Sequence, residues 1–105
     1  MIFVRKTHKT KLYLSTELVK KINSDYIEVL VNEKDREIAF MPCDKDTENA
    51  VHICKHNHND NWVEYIIIRK QIVLMFPLHK RIIGKWHRNY KCVIFKFKKG
   101  ELELL

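Results

Sequence analysis

At 105 residues, the chain is long enough for one hydrophobic core and too short for two independent ones. Apolar residues make up 46% and charged residues 31%, with only two glycines and two prolines, which excludes a disordered or low-complexity chain. The longest apolar run, residues 72–76, is too short to cross a bilayer, and the first residues lack a signal-peptide layout. We therefore expect one cytoplasmic domain over residues 1–105, without a membrane anchor.

The net charge of +7 is unevenly distributed along the chain. Residues 1–52 hold nine Lys or Arg against nine Asp or Glu, whereas residues 53–105 hold eleven against four. A second basic group opens the chain, because residues 1–16 contain no acid. Clustered cations favour a polyanionic partner such as nucleic acid, although a lysine-rich surface can also serve solubility alone.

The first half carries clear local signals for secondary structure. A polar side chain suited to a helix N-cap precedes a short amphipathic segment, and an asparagine that tolerates the left-handed conformation follows it. A run rich in β-branched residues comes next. The predicted elements are a strand at 12–14, a helix at 16–22 between Ser15 and Asn23, and a hairpin of strands at 26–31 and 37–41.

The second half gives a similar pattern after a long polar segment. Residues 42–61 have no sustained apolar period and predict an irregular connection. A proline in the first turn and a glycine after the last favour a second short helix. The predicted elements are strands at 65–68 and 72–74, a helix at 77–83 ending at Gly84, and a hairpin of strands at 90–97 and 101–105.

The order strand, helix, strand, strand is thus predicted twice. The first copy covers residues 1–42 and the second residues 63–105, with a linker at 43–62. In this alignment residues 12–14 correspond to 72–74, Asn23 to Gly84 and Tyr26 to Tyr90. The predicted fold class is α+β and β-rich, built from two related units that share one core.

Two segments carry a resemblance to a known family. Residues 76–84 read FPLHKRIIG, and residues 14–23 read LSTELVKKIN before a strand and a second strand that ends at Pro42. This layout resembles the AbrB/MazE swapped-hairpin family, and also small proteins of phages and mobile elements. The resemblance implies one small barrel with two short helices, a single-chain pseudo-dimer, and DNA binding through basic loops. Ser15 and Thr16 replace the helix-starting proline of that family, and the linker has no counterpart there.

Basic residues at both ends of the chain are the candidates for DNA contact. Cations neutralise phosphates, while Trp86 and Tyr90 among them either stack on bases or seal the core. The resemblance makes the first basic turn a contact, and a matching turn in the second half suggests a symmetric pair suited to DNA half-sites. The candidates are Arg5, Lys6, Lys9, Lys11, Arg69, Lys70, Lys80, Arg81, Lys85, Arg88 and Lys91, with Lys96, Lys98 and Lys99 nearby.

Four potential metal ligands alternate along the linker, namely His52, Cys54, His56 and His58. On an extended strand they share one face, but steps of nearly ~7 Å are too long for all four to close a tetrahedron. They serve either as a partial zinc site or as solvated side chains of a polar linker. The odd number of cysteines argues against a disulfide framework, so reduced thiols are expected. No cofactor is predicted.

No set of residues suggests catalysis. The carboxylates lie mostly in turns, Gly84 and Gly100 cannot build a phosphate loop, and no Ser or Cys stands beside a suitable base. The sequence therefore predicts a non-enzymatic, DNA-binding regulator of transcription. The alternative is a protein-binding module, such as an antitoxin-like partner or a phage-encoded inhibitor of a host factor, docking through sheet edges or the apolar carboxyl terminus. Whether two copies form a homodimer stays open.

Overall fold

The computed structural model describes residues 1–59 and 62–102 and contains short strands and two short helices. Neither described helix is long and apolar enough to span a membrane. The end of the last predicted strand, residues 103–105, lies outside the described residues. In chain order the elements are β1 (Phe3–His8), β2 (Lys11–Leu14), α1 (Thr16–Ile22), β3 (Tyr26–Asn32), β4 (Glu37–Cys43), β5 (Val51–His52), β6 (Cys54–Asn59), β7 (Trp62–Ile67), α2 (Lys70–Val73), β8 (Arg81–His87) and β9 (Cys92–Lys96).

The strands form one antiparallel sheet that closes on itself. Its order is β5-β3-β4-β9-β8-β1-β2-β7-β6, so β5 and β6 lie at its two ends. Only Ile53 separates β5 from β6, and this single bent segment therefore closes the sheet. The prediction of a small β-rich α+β domain with a barrel-like sheet and two short helices is confirmed. In the ring, the β4–β9 pair lies opposite the β2–β7 pair.

Aromatic side chains fill the centre of the barrel. The ring of Phe40 lies 4.9 Å from that of Phe95, and Phe76 packs edge-on against both. Each helix adds buried apolar side chains to this core, through Leu18 and Ile22 of α1 and Val73 of α2. The core is thus shared by both halves of the chain, as the length required.

The first helix forms where the sequence predicts it. The Ser15 hydroxyl accepts a hydrogen bond from the Leu18 N–H, which is the expected N-cap, and also one from the Phe3 N–H at 3.0 Å. Asn23 ends the helix in the left-handed conformation with φ 50°. Local signals are decisive here because cap residues satisfy backbone groups that the helix itself leaves unpaired.

The predictions for residues 72–84 are wrong. Residues 72 and 73 belong to α2 and not to a strand, and residues 81–84 belong to β8 and not to a helix. The apolar run around Val73 and Phe76 is buried as a cap on the barrel, which overrides its β-branched composition. Gly84 lies within β8, where a Cβ would stand 2.6 Å from Val93 Cγ1 and 2.7 Å from Phe95 Cε1. The glycine is therefore required by this close packing and does not mark the end of a helix.

The proposed correspondences of 12–14 with 72–74, of Asn23 with Gly84 and of Tyr26 with Tyr90 therefore fail, because Tyr26 begins β3 whereas Tyr90 lies in the turn before β9. The predicted hairpin of 90–97 with 101–105 is also wrong, because β9 forms its hairpin with β8.

The segment predicted as an irregular linker is largely a hairpin arm. Residues 51–52 and 54–59 form β5 and β6, and β4 extends through Pro42 to Cys43. Residues 55–58 are exposed, so neither face of β6 there needs apolar side chains. Alternating apolar and polar residues predict a strand only when one of its faces is buried. Both faces of β6 are solvated at residues 55–58, so the sequence there carries no such alternation and the strand was not predicted.

Candidate nucleic-acid interface

Three stretches that are distant in sequence meet at one end of the barrel. Leu12 pairs with Ile67, so the β1–β2 turn lies beside the residues that lead into α2. Arg5 pairs with Arg81 across β1 and β8, and the Lys6 carbonyl accepts a hydrogen bond of 2.6 Å from the His79 N–H. We call this region the basic end. It brings together Arg5, Lys9, Lys11, Arg69, Lys70, Lys80 and Arg81.

The two basic turns are therefore neighbours and not a symmetric pair. The prediction placed Lys9 and Lys11 in one turn and Arg69 and Lys70 in a matching turn of the other half. The register of β2 with β7 instead sets both groups side by side. A single concentrated positive surface replaces the two separate contacts that were expected for DNA half-sites.

An arginine pair lies at the centre of the outward face beside this end. Arg5 and Arg81 are both exposed and stand opposite each other on neighbouring strands, where like charges repel. The Arg81 guanidinium carbon lies 4.2 Å from the centre of the Phe3 ring, which fixes the plane of the group. Among the described residues neither arginine makes an ion pair. Such a pair can bind an anion that neutralises both charges.

A shallow hollow of about 400 Å³ lies beside the arginine pair. Its one acid, Glu64, points its carboxylate towards His58, with 3.3 Å between Oε1 and Nε2. The aromatic and hydroxyl groups here were not among the predicted contacts, although Phe3, Arg5 and Thr7 alternate along β1 and so share one face. The hollow is lined by Phe3, Arg5, Thr7, Tyr13, Leu14, Ser15, Glu64 and Arg81.

Lys6, predicted as a phosphate contact, is buried. Only 6% of its surface is exposed, and its Nζ donates a hydrogen bond of 3.0 Å to the Val73 carbonyl at the end of α2. This bond ties β1 to the segment that carries Arg69 and Lys70. Lys6 therefore positions the basic end from inside and does not reach a ligand on the surface.

Lys80 lies at the basic end but is paired within the chain. Its ammonium contacts the Glu101 carboxylate, which also accepts a 2.6 Å hydrogen bond from the Lys98 N–H. The hydrogen bond from Lys80 and then that from Lys98 hold the pKa of Glu101 below its ordinary value. The ion pair therefore persists below the usual titration range of glutamate and is lost as the pH falls through the lowered pKa.

The remaining predicted cations lie elsewhere. Arg88 and Lys91 occupy the β8–β9 turn, and Lys85 lies in the second half of β8. Since Arg81 begins β8 and the strand rises ~3.3 Å per residue, that turn is roughly 20 Å from the basic end. Trp86 packs against the core, as one of the two interpretations held, whereas Tyr90 is 70% exposed.

The stretches that supply the basic end are rich in cations and contain no acids of their own. Residues 1–16 hold four Lys or Arg and residues 65–100 hold ten, and neither stretch contains an Asp or Glu. Strand pairing joins these two stretches through β1 with β8 and through β2 with β7. Glu101 against Lys80 and Glu64 in the hollow reduce the net charge locally, and the potentials of the remaining cations add over this part of the surface.

The histidine and cysteine residues do not assemble into a metal site. The Cys54 Sγ lies 3.7 Å from His52 Nδ1, while the ring of His52 packs 4.9 Å from that of Tyr26. His58 lies near Glu64 and Trp62, and His56 is exposed. Within residues 1–59 and 62–102, no three His, Cys, Asp or Glu side chains are close enough to share an ion.

Comparison with known proteins finds no family model, no curated protein and no solved structure that matches this chain. The function is therefore inferred from the side chains that the fold brings together at the basic end.

Proposed function

We propose that this protein is a non-enzymatic DNA-binding regulator that docks on duplex phosphates through the basic end. The observation that carries the proposal is the arginine pair of Arg5 and Arg81, exposed and without an acid partner among the described residues. Two like charges held opposite each other raise the free energy of the unbound protein, and a bridging phosphate removes that cost. Arginine is also the side chain that suits a phosphate best, because its planar fork donates two hydrogen bonds.

The neighbouring cations extend this contact along the DNA backbone. Lys9 lies in the turn that follows the strand of Arg5, and Arg69 lies two strands away, where its guanidinium also donates a hydrogen bond to the Ala50 carbonyl. Each neutralised phosphate releases condensed counterions. The basic end spans the neighbouring strands β8, β1, β2 and β7, about 14 Å from first to last, which matches roughly four phosphate steps of 3.4 Å along one DNA strand. One face can therefore follow several consecutive phosphates, while Arg5 or Arg81 reads a base edge in the groove.

We also infer that the chain is a tandem AbrB/MazE-like pair. Both halves run strand, strand, helix, strand, strand, from β1 to β4 with α1 and from β6 to β9 with α2. Arg36 and Lys91 take matching places in the two hairpin turns, with φ of 53° and 50°. Buried residues of the two halves also correspond at a constant offset of 55 positions, which matches Leu18 with Val73, Ile27 with Ile82 and Phe40 with Phe95. The hairpin registers agree, as Val29–Phe40 and Leu30–Ala39 match Gly84–Phe95 and Lys85–Ile94.

The cations do not follow this internal repeat. At the constant offset, the positions that match Lys70, Lys80 and Arg81 hold Ser15, Asp25 and Tyr26. The two ends of the barrel would thus have diverged, and a single chain would engage one duplex segment through the basic end alone.

The protein-binding alternative receives less support. Docking through a sheet edge requires an unpaired strand edge, which β6 and the second half of β3 do offer because each pairs along one side only there. The carboxyl-terminal apolar residues invoked for that alternative include 104 and 105, which lie outside the described residues. The concentrated charge of the basic end favours a polyanion over a neutral protein surface.

The salt dependence of binding tests the proposed function. With about six exposed cations on phosphates, the logarithm of the association constant should fall linearly with the logarithm of the salt concentration, with a slope of roughly −5. Fluorescence anisotropy of a labelled random-sequence duplex gives this slope, and a single strand of equal length serves as the comparison. No binding at the lowest salt, or a slope near zero, would contradict the proposal.

A further inference from the structure

The outer face of β3, β4, β9 and β8 carries an apolar centre. Leu30 pairs with Ala39, and Ala39 pairs with Ile94, so the three side chains form a row across the strands. The exposed ring of Tyr90 lies beside this row and helps to line a hollow over it. The β4–β9 centre of this face is opposite the β2–β7 side of the barrel, and its β8 edge reaches the basic end at Arg81.

Charges of opposite sign flank the apolar centre. Glu28 and Glu37 lie on β3 and β4, whereas Lys85 and Lys96 lie on β8 and β9. Glu37 and Lys96 are cross-strand neighbours, yet among the described residues they do not form an ion pair. The face is therefore divided into an acidic half and a basic half by the apolar row.

We propose that this face binds a second copy of the same chain in a two-fold arrangement. A two-fold axis parallel to the strands, between β4 and β9, exchanges those strands between the copies. It sets Glu37 of each copy over Lys96 of the other and packs Ala39 against Ile94. A two-fold interface requires a surface complementary to itself, and a face with both signs around an apolar centre meets that requirement.

The charge pattern distinguishes a second copy from other partners. DNA would require one sign over the whole face, and a strongly charged protein would be repelled by one half of it. The two-fold axis lies between β4 and β9, so β1 and β2 of the basic end stay outside the interface, whereas Arg81 on β8 lies at its edge. The face is small, four strands or ~19 Å across, so a weak dimer with a dissociation constant in roughly the micromolar range is expected.

A pair of complementary charge reversals tests the dimer without DNA. We expect the wild-type chain to shift from monomer to dimer with rising concentration in sedimentation-velocity runs. Glu37→Lys places like charges at both contacts of its own dimer, and Lys96→Glu does the same with the opposite sign. Each variant alone should dimerise roughly tenfold to a hundredfold more weakly. An equimolar mixture should dimerise again, because both contacts between unlike copies are then of opposite sign.

Further variants keep the interpretation unambiguous. Lys11→Glu changes the charge equally but lies on β2, across the ring, and should dimerise like the wild type. Tyr90→Ser alters only an exposed turn and should weaken the dimer. The proposal is overturned if the wild type stays monomeric up to its solubility limit, if either charge variant associates like the wild type, or if the mixture does not recover.

Discussion

Replacing Arg5 and Arg81 together by alanine should weaken binding to duplex DNA by roughly a hundredfold at low salt. Each charged hydrogen bond to a phosphate contributes ~1.5 kcal/mol or more, and the variant removes two such groups from adjacent strands. The salt slope should become shallower by about two units, one for each lost phosphate contact. Anisotropy titrations of the same duplex at several salt concentrations measure both changes.

A matched loss of two charges provides the control. The double variant Arg88→Ala/Lys91→Ala removes the same net charge from the β8–β9 turn, roughly 20 Å from Arg81 along the strand. Charges separated by more than the Debye length of ~8 Å at physiological salt interact weakly, so in the titration at that salt this variant should bind within about threefold of the wild type, while the arginine variant stays clearly weaker. Equal losses in both variants would mean that affinity follows net charge alone, and the basic end would have no special role.

Phe95→Ala should destabilise the fold by ~3–5 kcal/mol. Phe95 has no exposed surface, its ring lies 4.9 Å from that of Phe40, and it covers the backbone of Gly84. Since Gly84 has no side chain that could move into the space, the cavity should remain largely open and the cost should fall high in that range. Urea denaturation followed by circular dichroism gives the free energy of unfolding.

An exposed apolar residue serves as the reference for that measurement. Ile68 is 57% exposed at the end of β7, so Ile68→Ala should change the free energy of unfolding by less than about 0.5 kcal/mol. A cost below about 1 kcal/mol for Phe95→Ala would show that the aromatic cluster does not hold the two halves of the barrel together.

The elements that the sequence predicts correctly are those with local causes. Ser15 fixes the start of α1 with its hydroxyl, which accepts a hydrogen bond from the Leu18 N–H, and Asn23 fixes its end with its own N–H, which donates to the Val19 carbonyl. The hairpin of β3 and β4 likewise needs only adjacent residues. The errors arise where distant residues decide. Gly84 resembles a helix end, but its role depends on Val93 and Phe95 packing over it, which no local pattern reveals.

For the candidate interface, too, local features could be predicted from the sequence, whereas long-range contacts could not. The clusters of cations are visible in the sequence, but which of them meet depends on strand pairing between residues more than fifty positions apart. The burial of Lys6 and the pairing of Lys80 with Glu101 also arise from long-range contacts. The alternation of polar and apolar residues along a strand does not distinguish a lysine that faces a ligand from one whose ammonium donates to a backbone carbonyl inside the barrel.

Mapping amide shifts by two-dimensional nuclear magnetic resonance during titration with a duplex tests most directly whether the basic end binds DNA. The account predicts the largest changes at Arg5, in the β1–β2 turn, at Arg69 and Lys70, and at Arg81, with little change in β3, β4 and β9. Changes concentrated on those three strands or on the β8–β9 turn, or no change at saturating duplex in low salt, would contradict it.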